Sequence, residues 1–106
     1  MFHEKAINEA IEILATQFSP DKIILFGSHA RGTATEQSDV DFLVLCDCKG
    51  RKGRLTDDMH EALKDMPFPK DIVVMSPKEF ELDRQIPGTL ARPVGREGIV
   101  LYERGN

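Results

Sequence analysis

The chain has no apolar run approaching the roughly 20 residues that a membrane-spanning helix requires. Its first 20 residues are amphipathic and polar, with no apolar core of signal-peptide length, so a cytoplasmic location is the expectation. An excess of positive charge is also missing, since 14 lysines and arginines stand against 18 aspartates and glutamates, a formal charge of −4. Nonspecific attraction to a phosphate backbone therefore has no global support, and direct nucleic-acid binding is not expected. Cysteine is scarce: Cys46 and Cys48 share one "CDC". That is too few for a disulfide framework and not the spaced pairs of a structural zinc site, which leaves reduced, noncatalytic thiols. His29 and His60 read as surface residues rather than ligands. At 106 residues the chain has the size of one compact domain, 1–106, and should bury somewhat under about two thirds of its unfolded surface. A large cofactor buried whole does not fit that size. With 41% apolar and 30% charged residues the composition is that of a globular protein and too apolar for disorder.

What is present is a regular alternation of elements. Ile7, Ala10, Ile11, Leu14 and Phe18 fall at helical spacing among polar residues, which predicts an amphipathic helix over 3–18 packed on a core. "SPD" at Ser19 to Asp21 ends it, because proline cannot continue a helix. "KIILF", Lys22 to Phe26, is a β-branched apolar run that predicts a buried strand closed by Gly27. Residues 29–35 can form one or two helical turns before "SDVDFLVLC", a second strand. On it Ser38, Val40, Phe42 and Val44 take one face and Asp39, Asp41, Leu43 and Leu45 the other. Asp47 to Arg54 reads as a glycine-rich basic loop and 55–66 as a helix, followed by a third strand from Asp71 to Met75. Ser76, Pro77 and Glu79 spell a capped helix start. Pro87, Gly88, Pro93, Gly95 and Gly98 break any period over 83–98, so a broken helix or loop is expected before the strand "GIVLYE".

About a dozen residues separate the first two strands, too cramped for a parallel crossover, so these two should pair antiparallel. Gly27 and Ser28, ending one strand, then lie beside Asp39 and Asp41, starting the next. A longer, helix-containing connection suits a parallel pairing of the second and third strands, which brings Asp71 to the same edge. Three carboxylates at one edge repel each other unless cations sit among them. Mg²⁺ suits such a set, as a hard cation that binds through a few carboxylates plus substrate phosphates. The alternation of a strand points Asp39 and Asp41 the same way, roughly 7 Å apart at the backbone. Glycine lets the backbone approach a ligand closely, and the amides after Ser28 offer a seat for phosphate. Arg31 can add charge to a triphosphate or pair with Glu36 or Asp39.

The stretch "GSHARGTATEQSDVDFLV", Gly27 to Val44, resembles the glycine-serine and aspartate-x-aspartate signature of the DNA polymerase β superfamily of nucleotidyltransferases, in its minimal form "GSxARG…SDxDxxV". A looser likeness extends to Asp71 in "DIVV" and to "REGIVLYE", so nearly the whole chain is spanned. The resemblance implies that superfamily's α/β (α+β) fold, a mixed sheet of about four strands flanked by helices. It implies that Gly27, Ser28, Arg31 and Ser38 hold ATP, that Asp39 and Asp41 bind two Mg²⁺ ions, and that Asp71 is the third carboxylate and candidate base. Minimal nucleotidyltransferases of this kind are commonly antitoxins that silence a HEPN-domain ribonuclease toxin by adenylylating one of its tyrosines. The chain is too short for a second domain that would hold a small acceptor, so the acceptor should come from another molecule. Two other functions remain open: a noncatalytic antitoxin that binds its partner stoichiometrically, and a small-molecule nucleotidyltransferase completed by a separate subunit.

Overall fold

A computed structural model describes residues 2–105. The chain runs α1 (Glu4–Phe18), β1 (Lys22–Phe26), α2 (Ser28–Arg31), β2 (Val40–Leu45), α3 (Lys52–Ala62), β3 (Lys70–Met75), α4 (Pro77–Asp83), α5 (Ala91–Glu97) and β4 (Ile99–Glu103). The strands form one mixed sheet in the order β3-β2-β1-β4. As the short connection requires, β1 and β2 are antiparallel, with Lys22 opposite Leu45 and Phe26 opposite Asp41. Also as expected, β2 and β3 are parallel, Val40 beside Lys70 through Leu45 beside Met75, with α3 carried by the connection between them. The last strand returns antiparallel along β1, its register shifting between Ile23 and Ile24.

Strand alternation sorts the core into two layers. Ile23, Leu25, Val40, Phe42, Val44, Ile72 and Val74 point to the face covered by α1 and α3, where Ile7, Ala10, Ile11, Leu14, Met59 and Leu63 are buried against them. The stripe on α1 is thus core. Ile24, Leu43, Leu45 and Met75 point to the other face, where α4 and α5 supply Phe80, Ala91 and Val94, with Phe26 and Val73 packed at the margin. Asp41 shares the parity of Leu43 and Leu45, and Asp71 that of Val73 and Met75, so both acidic positions belong to this second face.

Local chemistry sets the boundaries. α4 starts in the expected capping box: Glu79 N–H donates to Ser76 Oγ at 3.0 Å and Ser76 N–H donates to Glu79 Oε1 at 3.2 Å, with Pro77 at the first helical position. One expectation needs correction and another is made specific. The basic loop is shorter than its composition predicts, because Lys52 to Arg54 already belong to α3, where Lys52 reaches Glu79 at 3.1 Å. The irregular stretch before β4 holds a regular helix, α5, despite Pro93 and Gly95. Pro93 lies in the first turn, where the missing N–H has no intrahelical partner to lose. Gly98 then crosses so close that an added Cβ would meet Val94 O at 2.5 Å and Ile24 Cγ2 at 2.6 Å.

Candidate active site

The edge where β1 ends, β2 begins and β3 begins gathers the acidic residues. Asp41 is flanked in register by Phe26 on one side and by Asp71 on the other. After Phe26 the chain turns through Gly27, whose φ of +72° and ψ of −155° lie in a region essentially closed to other residues. An added Cβ there would stand 2.1 Å from Asp41 Oδ2, so the carboxylate lies directly against the bare α-carbon. Glycine is needed here twice, for its backbone angle and for the space. The turn of α2 follows at once, with the N–H groups of Ala30 and Arg31 both donating to Gly27 O at 3.1 Å.

The segment from Gly32 to Asp39 is closed by Ser38. Its Oγ accepts from Thr35 N–H at 2.8 Å and lies 3.3 Å from Thr35 Oγ1, while its own N–H donates to Thr35 O at 3.1 Å. His29, expected at the surface, is instead 5% exposed beneath this segment. Its Nε2 lies 3.3 Å from Ser38 O, and because a carbonyl only accepts, that nitrogen carries the proton. The other ring nitrogen, Nδ1, is buried with no hydrogen-bond partner among the described residues. Sequence gave no warning of this burial, because a lone histidine in a polar stretch has no periodicity to betray its side. Cys46 and Cys48 are free and buried in the α1–α3 layer, and burial pushes the Cys46 thiol up, aided by Cys48.

Asp39 stands one residue before β2, not on it, so the two aspartates of the pair are held differently: Asp41 by the ladder on both sides, Asp39 by the segment that His29 braces. Asp41 is half-buried and Asp71 exposed. Burial, then the charges of Asp71 and Asp39, raise the Asp41 carboxyl above the usual range, while His29 and Arg31 pull the other way. Among the described residues no three carboxylate, imidazole or thiol groups are gathered into a ready cage for a metal ion. The donor set still fits Mg²⁺, which binds through one or two carboxylates and fills its shell with water and substrate phosphate rather than in an all-protein cage. Like charges crowded at Asp41 are what such an ion would relieve.

Arg31 pairs with neither Glu36 nor Asp39. Its Nη1 lies 3.9 Å from Glu97 Oε2, across a cavity of about 240 Å³ lined by Phe26, Gly27, Arg31, Leu90, Pro93, Val94 and Glu97. The α5 side of this cavity was hidden in the sequence. Leu90, Pro93, Val94 and Glu97 do fall at i, i+3, i+4 and i+7, but the proline and glycines among them mask the helical signal.

Residues 7–93 match the family model of the nucleotidyltransferase domain. A Methanocaldococcus jannaschii protein named "Putative protein adenylyltransferase" is 34% identical over 106 residues, taking in 96% of this chain and 100% of the relative. A solved structure described as "putative minimal nucleotidyltransferase" is 31% identical, with a TM-score of 0.55 over 93% of this chain and 95% of that one. A structure of a toxin–antitoxin with AMP-PNP contains a chain with a TM-score of 0.56 and 24% identity, over 92% of this chain and 73% of that one, a likeness of fold.

Proposed function

Because the chain belongs to the nucleotidyltransferase domain family, we propose that it transfers AMP from ATP to a hydroxyl of a partner protein, with pyrophosphate as the leaving group. The observation that carries this is Gly27: its bare α-carbon lies against Asp41, which stands in register with Asp71. Glycine at this turn lets the backbone come directly against Asp41, so the carboxylate and the turn that would seat the phosphates share one edge.

The acceptor oxygen attacks the α-phosphorus, the bond to the bridging oxygen breaks, and pyrophosphate carries off the electron pair. Asp39, Asp41 and Asp71 would hold two Mg²⁺ ions. When bound, these supply positive charge to the transferred phosphate and favour ionisation of the attacking hydroxyl. Gly27 and Ser28 seat the triphosphate, Ser28 through its hydroxyl, and Arg31, half-exposed, adds a cation near the phosphates. Ser38 shapes the approach to Asp39 through its bonds to Thr35. Asp71, exposed at the rim, takes the acceptor's proton.

The partner proposed is a HEPN-domain ribonuclease toxin, modified on a tyrosine, with this chain as its antitoxin. Support comes from the likeness of "GSHARG…SDVDFLV" to the minimal nucleotidyltransferase signature, whose bearers are commonly antitoxins, and from the adenylyltransferase name of a relative at 34% identity. The test incubates the protein with labelled ATP, Mg²⁺ and the co-encoded partner, beside a variant carrying Asp39→Asn and Asp41→Asn. Label on a partner tyrosine, lost in the variant, supports the reading. Equal neutralisation of the partner by both proteins without label identifies a stoichiometric binding antitoxin. An unmodified partner beside a modified small molecule identifies the third function.

A further inference from the structure

The two sides of α5 are chemically unlike. Leu90, Pro93, Val94 and Glu97 face Gly27 and Arg31, whereas Arg92, Gly95 and Arg96 lie on the opposite side of the helix, at i, i+3 and i+4. That second side, with Arg84 and Gln85 just after α4, lines a separate cavity of about 180 Å³. Three of the lining residues are arginines and none is acidic, in a chain whose formal charge is −4. Arg84 is held in place. Its guanidinium lies 5.2 Å from the centre of the Phe80 ring and its Nη2–H donates to Gly95 O at 3.4 Å. An added Cβ on Gly95 would stand 3.1 Å from Arg84 Nε, so the glycine makes room for the guanidinium to lie along the helix. Arg92 donates through Nη1 to Gln85 O at 3.1 Å, and neither Arg92 nor Arg96 has an ion-pair partner among the described residues. Arg84 alone has a carboxylate, the exposed Glu81, at 3.2 Å. In the same stretch of chain Leu82 and Ile86 are 61% and 50% exposed.

We infer that this side of α4 and α5 is the docking surface for the partner protein, and that the partner meets it with carboxylates set among apolar side chains. The inference takes the existence of a protein partner from the proposed function and adds where that partner binds and by what chemistry. Clustered guanidiniums repel one another, and a carboxylate relieves the repulsion while accepting paired N–H bonds from each fork. The cavity is below the roughly 300–1,000 Å³ of small-molecule sites, so it holds a single anionic group. Leu82 and Ile86 add apolar contact that a free inorganic anion has no use for, and arginine anchors beside exposed apolar residues are the composition of protein interfaces. RNA fits less well, because the net charge of −4 repels its backbone beyond the patch itself. A second copy of the chain could offer Glu9 and Glu12 of α1, but α1 covers the other face of the sheet, so copies joined that way would stack head to tail without closing. A partner held on this side of α5 lies about one helix diameter, ~10 Å, from Gly27 and Arg31, which brings an acceptor hydroxyl to the neighbourhood of the nucleotide.

The test measures binding of the co-encoded partner by calorimetry to the native protein, to Arg96→Glu, to the double variant Arg92→Glu with Arg96→Glu, and to Lys64→Glu. Arg96 is exposed, so reversing its charge leaves the fold intact. Lys64, exposed just after α3 on the other side of the sheet, changes the net charge by the same amount and serves as the control. Arg96→Glu should weaken the partner about tenfold or more, the double variant further and Lys64→Glu little, while every variant binds ATP with Mg²⁺ as the native protein does. Added salt should weaken the native complex more steeply than that of the double variant. Equal effects of Arg96→Glu and Lys64→Glu overturn the inference, as does loss of ATP binding in Arg96→Glu, which would assign the patch to the nucleotide. So does a single-stranded RNA that the native protein binds and Arg96→Glu releases, or self-association that depends on Arg96. Partner binding that depends on Arg96 without transfer of AMP sinks the proposed reaction and leaves the docking surface standing. A partner that the native protein does not bind at all removes both.

Discussion

Replacing Asp71 with asparagine should stabilise the protein when metal is absent. Asp41 and Asp71 occupy paired positions on neighbouring strands, about 5 Å apart at the backbone. Two unit charges at that distance repel by about 0.8 kcal/mol in water and about 3 kcal/mol at the effective dielectric of a protein surface. Asp71 is exposed and Asp41 only half-buried, so the lower end applies, about 1 kcal/mol. For a domain of this size that raises the midpoint of thermal unfolding by about 4 °C or more. The sign with pH follows from the raised Asp41 carboxyl. The folded state binds the Asp41 proton more tightly than the unfolded chain, so the penalty is present at neutral pH and fades as pH falls through the raised value. Melting curves in EDTA should therefore separate Asp71→Asn from the native protein at pH 7 and bring the two together in acid. With Mg²⁺ and ATP at about 100 times the dissociation constant the native protein gains about 2.7 kcal/mol and the order reverses, because the variant has lost a ligand. An Asp71→Asn protein that melts at or below the native temperature in EDTA would refute the electrostatic account of this rim.

Gly27→Ala should abolish nucleotide binding and destabilise the fold by about 1–3 kcal/mol, since it meets both a forbidden backbone region and Asp41 Oδ2; denaturant unfolding and calorimetry read the two effects. Ser76→Ala removes one arm of the capping box and should lower stability by about 1 kcal/mol with transfer activity intact. Phe42→Ala, at a fully buried position of the larger layer, should lower stability by about 3–5 kcal/mol in urea titrations. Cys46 and Cys48 should react with a thiol reagent only at the rate of unfolding, because both are buried and the Cys46 thiol is raised; rapid labelling of the folded protein would contradict this.

The acidic rim was legible because its logic is topological. A connection of about a dozen residues forces β1 and β2 antiparallel, a helix-containing one permits β2 and β3 to run parallel, and the two together place Gly27, Asp41 and Asp71 at one edge. Capping chemistry was legible for the same reason, since Ser76 and Glu79 act within four residues. Features decided by tertiary contact were not. α5 forms against propensity because Val94 and Ala91 have Ile24 and Phe80 to pack on. α3 starts early, through Gly53, where Lys52 finds Glu79. His29 is buried because Ser38 O waits for its Nε2, a contact between residues nine positions apart that no period reports.

The sheet's two coverings are unequal in bulk. The side under α1 and α3 buries a large apolar mass, while the side under α4 and α5 buries a much smaller one. Amide protons of α4 and α5 should consequently exchange with solvent well before those of β1, β2 and α1. The acidic edge is anchored in the slow-exchanging slab and the cavity wall in the fast-exchanging one, so one side of the pocket can breathe while the carboxylates keep their spacing.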